Sequence, residues 1–154
     1  MVRRWWRSTA ALRAAVRGPA DFVLAARIAA FVVAAPRELA RADVASYLED
    51  LRRAPRPHAG DRDASQQRVV RLRNGVLSLP WFWRRNNCYV RALVLCRFLD
   101  AGSGVVRIHI GIEQRETDAH LHGHAWVTVD AKLIEGPEGV LLERLREIPV
   151  HARR

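Results

Sequence analysis

The chain has 154 residues, 49% of them hydrophobic and 27% charged, proportions that suit one folded unit with a real core and exclude wholesale disorder. Its formal net charge of +10 is carried almost wholly by arginine, Lys132 being the only lysine. A surface this basic favours acidic partners, whether peptide, nucleic acid or anionic lipid, and charge alone does not choose among them.

The opening "MVRRWWRSTAALRAAVRGPADFVLAARIAAFVVAAPREL" has a charged front followed by an apolar run that Arg27 interrupts. From Phe22 to Pro36 that run is shorter than the ~20 residues of a spanning helix. A buried helix with a solvated basic end is therefore expected, rather than a signal or a span. Trp5 and Trp6 beside Arg3, Arg4 and Arg7 keep peripheral membrane contact open as the less favoured alternative. Residues 1–54 read as a mainly helical N-terminal region punctuated by Pro19 and Pro36. Pro36 is expected in the first turn of a helix whose apolar face is Leu39, Val44, Tyr47, Leu48 and Leu51. "PRPHAGDRDASQQ" (55–67) concentrates turn formers and reads as a loop or linker. It sets a soft boundary before a second unit, 68–154. "QRVVRLRNGVLSLPWFWRR" predicts a helix to about Gly75, then an irregular aromatic segment around Pro80.

The signals sharpen at "NNCYVRALVLCRFLD". Asn86 or Asn87 caps a helix whose face carries Cys88, Ala92, Leu95, Cys96 and Leu99, and Asp100-Ala-Gly102 ends it. "VVRIHIGI" alternates as a strand, "EQRETDAH" is a turn or loop, and "HAWVTVD" and "KLIEG" are two strands around Asp130-Ala131. A helix followed by antiparallel strands makes an α+β fold.

Free cysteine is among the most buried residue types, so Cys88 and Cys96 are first of all core candidates. They lie eight residues apart on one helix, a rise of ~12 Å, whereas a disulfide needs Cα atoms within ~7 Å. Both stay thiols, which fits a reducing, cytoplasmic setting. Cys88 differs from Cys96 in its place at the helix start. Free amides and the helix dipole favour a thiolate there and make it a nucleophile. Such a thiolate is usually served by an imidazole that a third group orients. His124 opens "HAWV" on a rigid strand. His120, His122 and His124 alternate and could share a face, which is the rival zinc reading, but no acid or thiol at a suitable spacing completes a tetrahedral site. No metal is expected. His120 and His122 are read as loop residues at the site mouth, and His109 as a hydrogen-bonded sheet histidine. If Asp130-Ala131 is a two-residue turn, Val129 faces Lys132 and Trp126 faces Glu135, which puts Glu135 one diagonal step from His124. A longer turn would move that register, so Glu138 and Asp130 remain alternatives to Glu135 as the third group.

"NNCYVRALVLCRFLDAGSGVVRIHIGI" with "GHAWVTVDAKLIEG" resembles the transglutaminase-like cysteine peptidases of lasso-peptide biosynthesis. The similarity runs over residues 68–140 and, more vaguely, the helical N-terminal part. The resemblance implies a papain-like core and a peptidase that removes the leader from a ribosomally made precursor before a cyclase closes the ring. Cys88 would be the nucleophile and His124 the general base and then acid. A carboxylate after His124 would orient the imidazole. Thr128 stands where the family often has Glu. Gly136 stands where its acid, an Asp, usually lies, with Glu135 immediately before. Short members of that family work beside a small leader-binding protein. The partners implied are thus the precursor peptide, that protein and the lasso cyclase, with the N-terminal helices as the docking surface. Asn86, Asn87 or Trp83 would add an oxyanion donor. No cofactor is expected: "GSG" at 102–104 is a helix stop, not a phosphate loop. Three rivals stand beside it. One is a catalytically silent binding module of the same fold, and another is a different cysteine peptidase of that fold. The third is a nucleic-acid binder, for which no helix-turn-helix, zinc-finger or RNP pattern speaks.

Overall fold

The computed structural model describes residues 2–53, 62–99, 105–114, 121–135 and 146–147. Helices α1 (Val2–Ala15), α2 (Pro19–Leu39), α3 (Val44–Arg53) and α4 (Arg62–Leu77) precede a short 3₁₀ turn (Trp83–Arg85). Helix α5 (Cys88–Phe98) follows, then strands β1 (Val106–Gln114), β2 (Leu121–Val129), β3 (Lys132–Glu135) and β4 (Arg146–Glu147).

Pro19 sits in the first turn of α2, where its missing N–H costs nothing. Pro36 does not open a new helix. It lies inside α2, near the C-terminal end, and the helix runs on to Leu39. The helix start expected at Pro36 lies instead at Asp43, whose Oδ2 accepts the Ser46 N–H at 3.2 Å and so caps α3. With Pro36 inside it, α2 is also longer than the apolar run Phe22–Pro36 suggested. By length and composition it is long enough to cross a membrane, although Leu24, Ile28 and Val32 on one face pack into the core. The expected loop 55–67 is also shortened, because α4 begins at Arg62 with Asp63 in its first turn, where a carboxylate suits the helix dipole.

The helices pack as one body. Residues from Ala15, Leu24, Ile28 and Val32 through Leu48 and Leu51 share a single buried cluster with Leu72, Val76, Leu93, Leu95 and Val127. The core thus runs across the boundary placed at 55–67. Fully burying each such leucine or valine contributes roughly 1.5–3 kcal/mol. Gly75 lets α1 and α4 approach closely: a Cβ there would lie 3.0 Å from the Ala15 Cβ and 3.2 Å from the Leu12 Cα. A polar clamp adds to this. Asp21 accepts the Arg17 N–H at 2.9 Å, Arg68 Nε at 2.5 Å and Arg71 Nη2 at 3.1 Å, tying the start of α2 to α4. Burial works against the Asp21 carboxylate, yet these donors hold its pKa below the ordinary value. The clamp's stability is therefore present above the usual carboxylate range and lost as pH falls through the lowered pKa.

The sheet is antiparallel with order β3-β2-β1-β4. β1 and β2 pair from Val106↔Val129 to Gln114↔Leu121. Asp130 and Ala131 form the two-residue turn, both with positive φ (50° and 66°), the type I′ geometry that matches strand twist. A left-handed alanine is strained by about 1–2 kcal/mol. Ala131→Gly is accordingly expected to raise stability by roughly 1 kcal/mol, read as a shift in the denaturation midpoint; an unchanged midpoint would contradict the strain.

Val129 faces Lys132, as a two-residue turn requires, but Glu135 pairs with Val127 rather than Trp126. A bulge at Ile134 inserts one residue into β3 and flips everything after it to the other face. The sheet side occupied by Val106, Ile108, Ala125, Val127 and Val129 packs into the helical core. The other side carries His109 stacked on Trp126 (centroids 5.3 Å apart, 9° between planes), with His109 Nε2 at 2.9 Å from Thr128 Oγ1.

Candidate active site

Cys88 is the first residue of α5. Asn87 caps that helix, its Oδ1 accepting the Val90 N–H at 2.9 Å. The neighbouring Asn86 does something else: its Oδ1 accepts from Arg91 Nη1 at 3.3 Å. The cap serves Val90, and among the described residues the Cys88 and Tyr89 amides remain first-turn donors without a helical acceptor. The sulfur is half-buried and donates to the Gly123 carbonyl at 3.6 Å. Cys96, two turns on, is fully buried (0% exposed) and belongs to the core.

Helix α5 thus sets its tip against β2 at the residue immediately before His124. Gly123 is exposed, and a Cβ built on it would meet nothing within 4 Å. The space beside the sulfur is open on that side. His124 is half-buried, with its Nε2 shielded from solvent. Strand alternation places His124 with Trp126 and Thr128, on the side of β2 away from α5. β3 pairs only with Val127–Val129. At Gly123 and His124 the outer flank of β2 therefore carries no described strand.

Glu135 has other partners. The bulge turns it toward the helices, where Arg91 Nε reaches its Oε1 at 2.8 Å and Arg73 Nη2 pairs with its Oε2. Arg91 lies one turn below Cys88 on α5. Arg73, on α4, is fully buried (0% exposed) and also donates to Asn74 Oδ1 at 2.7 Å. Burial pulls the Arg73 pKa down; Glu135 pushes it back up and Arg91 opposes that. Glu135 therefore fastens α4, α5 and β3 together directly beneath the cysteine. Asp130, an alternative for the third group, accepts the Val105 N–H at 2.9 Å at the turn. That is six residues along β2 from His124, roughly 20 Å in an extended strand. Glu138 and His120 lie outside the described residues, as does the His122 side chain. Among the described residues no group of three or more His, Cys, Asp or Glu is placed to hold a metal.

Arg73 and Arg91 were not singled out in the sequence. Arg91 had a signal, the Cys-x-x-Arg spacing that puts it on the same helical stripe as Cys88. Arg73 had none, standing in an arginine-rich helix like many solvated neighbours.

A cysteine at the tip of a helix that packs on an antiparallel sheet, against a strand carrying a histidine, is the layout of papain-like α+β folds. The chain belongs to the transglutaminase-like superfamily, whose family model matches residues 29–149. The match begins within α2, so the N-terminal helices from there on are part of the family's unit. Neither a curated protein nor a solved structure matches the chain.

Proposed function

We propose that the protein is a cysteine peptidase that removes the leader from a ribosomally made lasso-peptide precursor in the cytoplasm, beside a separate leader-binding protein and ahead of the cyclase. The observation that carries this reading is the contact of the Cys88 sulfur with β2 at Gly123, next to His124. The similarity of the Cys-x-x-Arg-Ala-Leu and His-Ala-Trp-Val segments to that peptidase family supplies the substrate.

In this reading the Cys88 thiolate attacks the scissile carbonyl and forms a tetrahedral oxyanion, which the Cys88 and Tyr89 amides stabilise. His124 hands its proton to the departing amine, leaving a thioester of the leader on Cys88. His124 then takes a proton from water, hydroxide adds to the thioester, and the leader leaves as a free carboxylate. The substrate backbone passes over Gly123. Gly123→Val would fill that space while suiting a strand better than glycine does. Cleavage is expected to fall by about tenfold or more as the melting temperature holds or rises; unimpaired cleavage would remove the substrate from this path.

A second reading, a catalytically silent binding module of the same superfamily, is favoured by the alternation that sends His124 to the far side of β2. Cleavage of a precursor peptide by wild type and Cys88→Ala, with the companion protein present and products weighed by mass spectrometry, decides between them. The peptidase reading requires processing by wild type and none by the variant, with precursor binding retained in both. No processing by either leaves the binding module, and equal processing by both removes Cys88 from the reaction.

A further inference from the structure

A cavity of about 740 Å³ lies between α1, α4 and β3, lined among others by Ala14, Gln66, Gln67, Asn74, Lys132 and Leu133. It falls within the roughly 300–1,000 Å³ range of ligand clefts. One wall is the edge strand of the sheet. In a two-residue hairpin Val129 and Lys132 form the closing hydrogen-bonded pair, so the N–H and C=O of Leu133 point outward from the sheet. Among the described residues no backbone bond meets them on that side. The opposite wall is α4, where the exposed Gln67 and Asn74 stand two turns apart on one stripe, with Gln66 buried beside them and the Asn74 Oδ1 already accepting from Arg73. Side-chain amides both donate and accept, as a peptide edge demands. The floor is small because α1 presents Ala11, Ala14 and Ala15.

We propose that this groove docks an extended peptide of net negative charge as an added strand on Leu133, its other edge met by the α4 amides. The charge follows from complementarity: the chain carries +10, Arg71 and Lys132 line the groove against one carboxylate, Asp63, and Arg13 and Arg17 are exposed outside it at the end of α1. The short, bulged edge with its lysine resists pairing with any passing strand, so the walls select the guest. β3 runs from the turn, at Val129, to the level of Val127, in the direction of Gly123, which Cys88 touches. The inference rests on the peptidase reading for its occupant, a segment of the substrate remote from the cut.

The test uses the full chain carrying Cys88→Ala. Random 12-residue peptides displayed on phage are selected against it, and the winners are synthesised with a fluorescent label. Selected peptides are expected to be acidic and to slow hydrogen exchange at the Leu133 amide. Leu133→Pro removes that outward N–H at an edge position that tolerates proline, and Gln67→Trp fills the groove. Each is expected to weaken binding by about tenfold or more, with melting temperatures showing that the variants fold. A library without binders, or affinities within about twofold of the parent in both variants, overturns the proposal. Offering the same peptides, extended by a cleavable segment, to the Cys88 form separates the two ideas. Groove binding without cleavage sinks the peptidase reading alone, and cleavage insensitive to both substitutions sinks the groove alone.

Discussion

Glu135→Ala is expected to cost about 3–5 kcal/mol of folding stability, the usual penalty for stripping a buried charge of its partner. Arg73 is wholly enclosed, and Glu135 is its ion-pair partner. Removing that carboxylate leaves a guanidinium that burial already disfavours, with the like charge of Arg91 nearby. Replacing the pair together, as Arg73→Met with Glu135→Leu, is expected to recover most of the loss, because well-packed apolar residues do without the desolvation that a buried pair must offset. Urea denaturation of the three proteins checks this; Glu135→Ala with a wild-type midpoint would contradict it. The result bears on the triad. Lost cleavage in Glu135→Ala would look like loss of a catalytic acid while reflecting a loosened α5. The double variant separates the two, since it keeps the scaffold without the carboxylate.

The second large effect concerns His124. As general base and acid it is expected to contribute about 10²–10⁴ to the rate of leader cleavage. His124→Ala should lower the single-turnover rate by that factor with little change in precursor affinity. Combining it with Cys88→Ala should cost no more than Cys88→Ala alone, because nucleophile and base act as one unit. A His124→Ala enzyme within about threefold of wild type would assign the base elsewhere.

The helix at Cys88 and the strands after it were legible because their signals are local. Asn87 caps, the odd residues of β2 alternate into the core, and a two-residue turn at Asp130-Ala131 fixes Val129 opposite Lys132. The α+β class followed from those elements, and the transglutaminase-like family from the resemblance carried by the Cys88 and His124 segments. What could not be read is what depends on one inserted residue or on distant partners. The bulge at Ile134 leaves no mark in the sequence, yet it alone decides whether Glu135 faces the helices or the far side. Pro36 is ambiguous in sequence because a proline tolerated near a helix end looks the same as one opening a helix. The burial of Arg73 is set by packing between α4, α5 and β3, and no local pattern announces it.

The central claim is that the Cys88 sulfur and the His124 imidazole act on each other. Because Cys96 is fully enclosed, iodoacetamide reports on Cys88 alone in the folded protein. The decisive measurement is the alkylation rate at neutral pH in wild type and in His124→Ala. An imidazole that draws the proton from sulfur predicts a wild-type rate about tenfold or more above the variant's. Equal rates in the two folded proteins would mean that the histidine does not serve the cysteine.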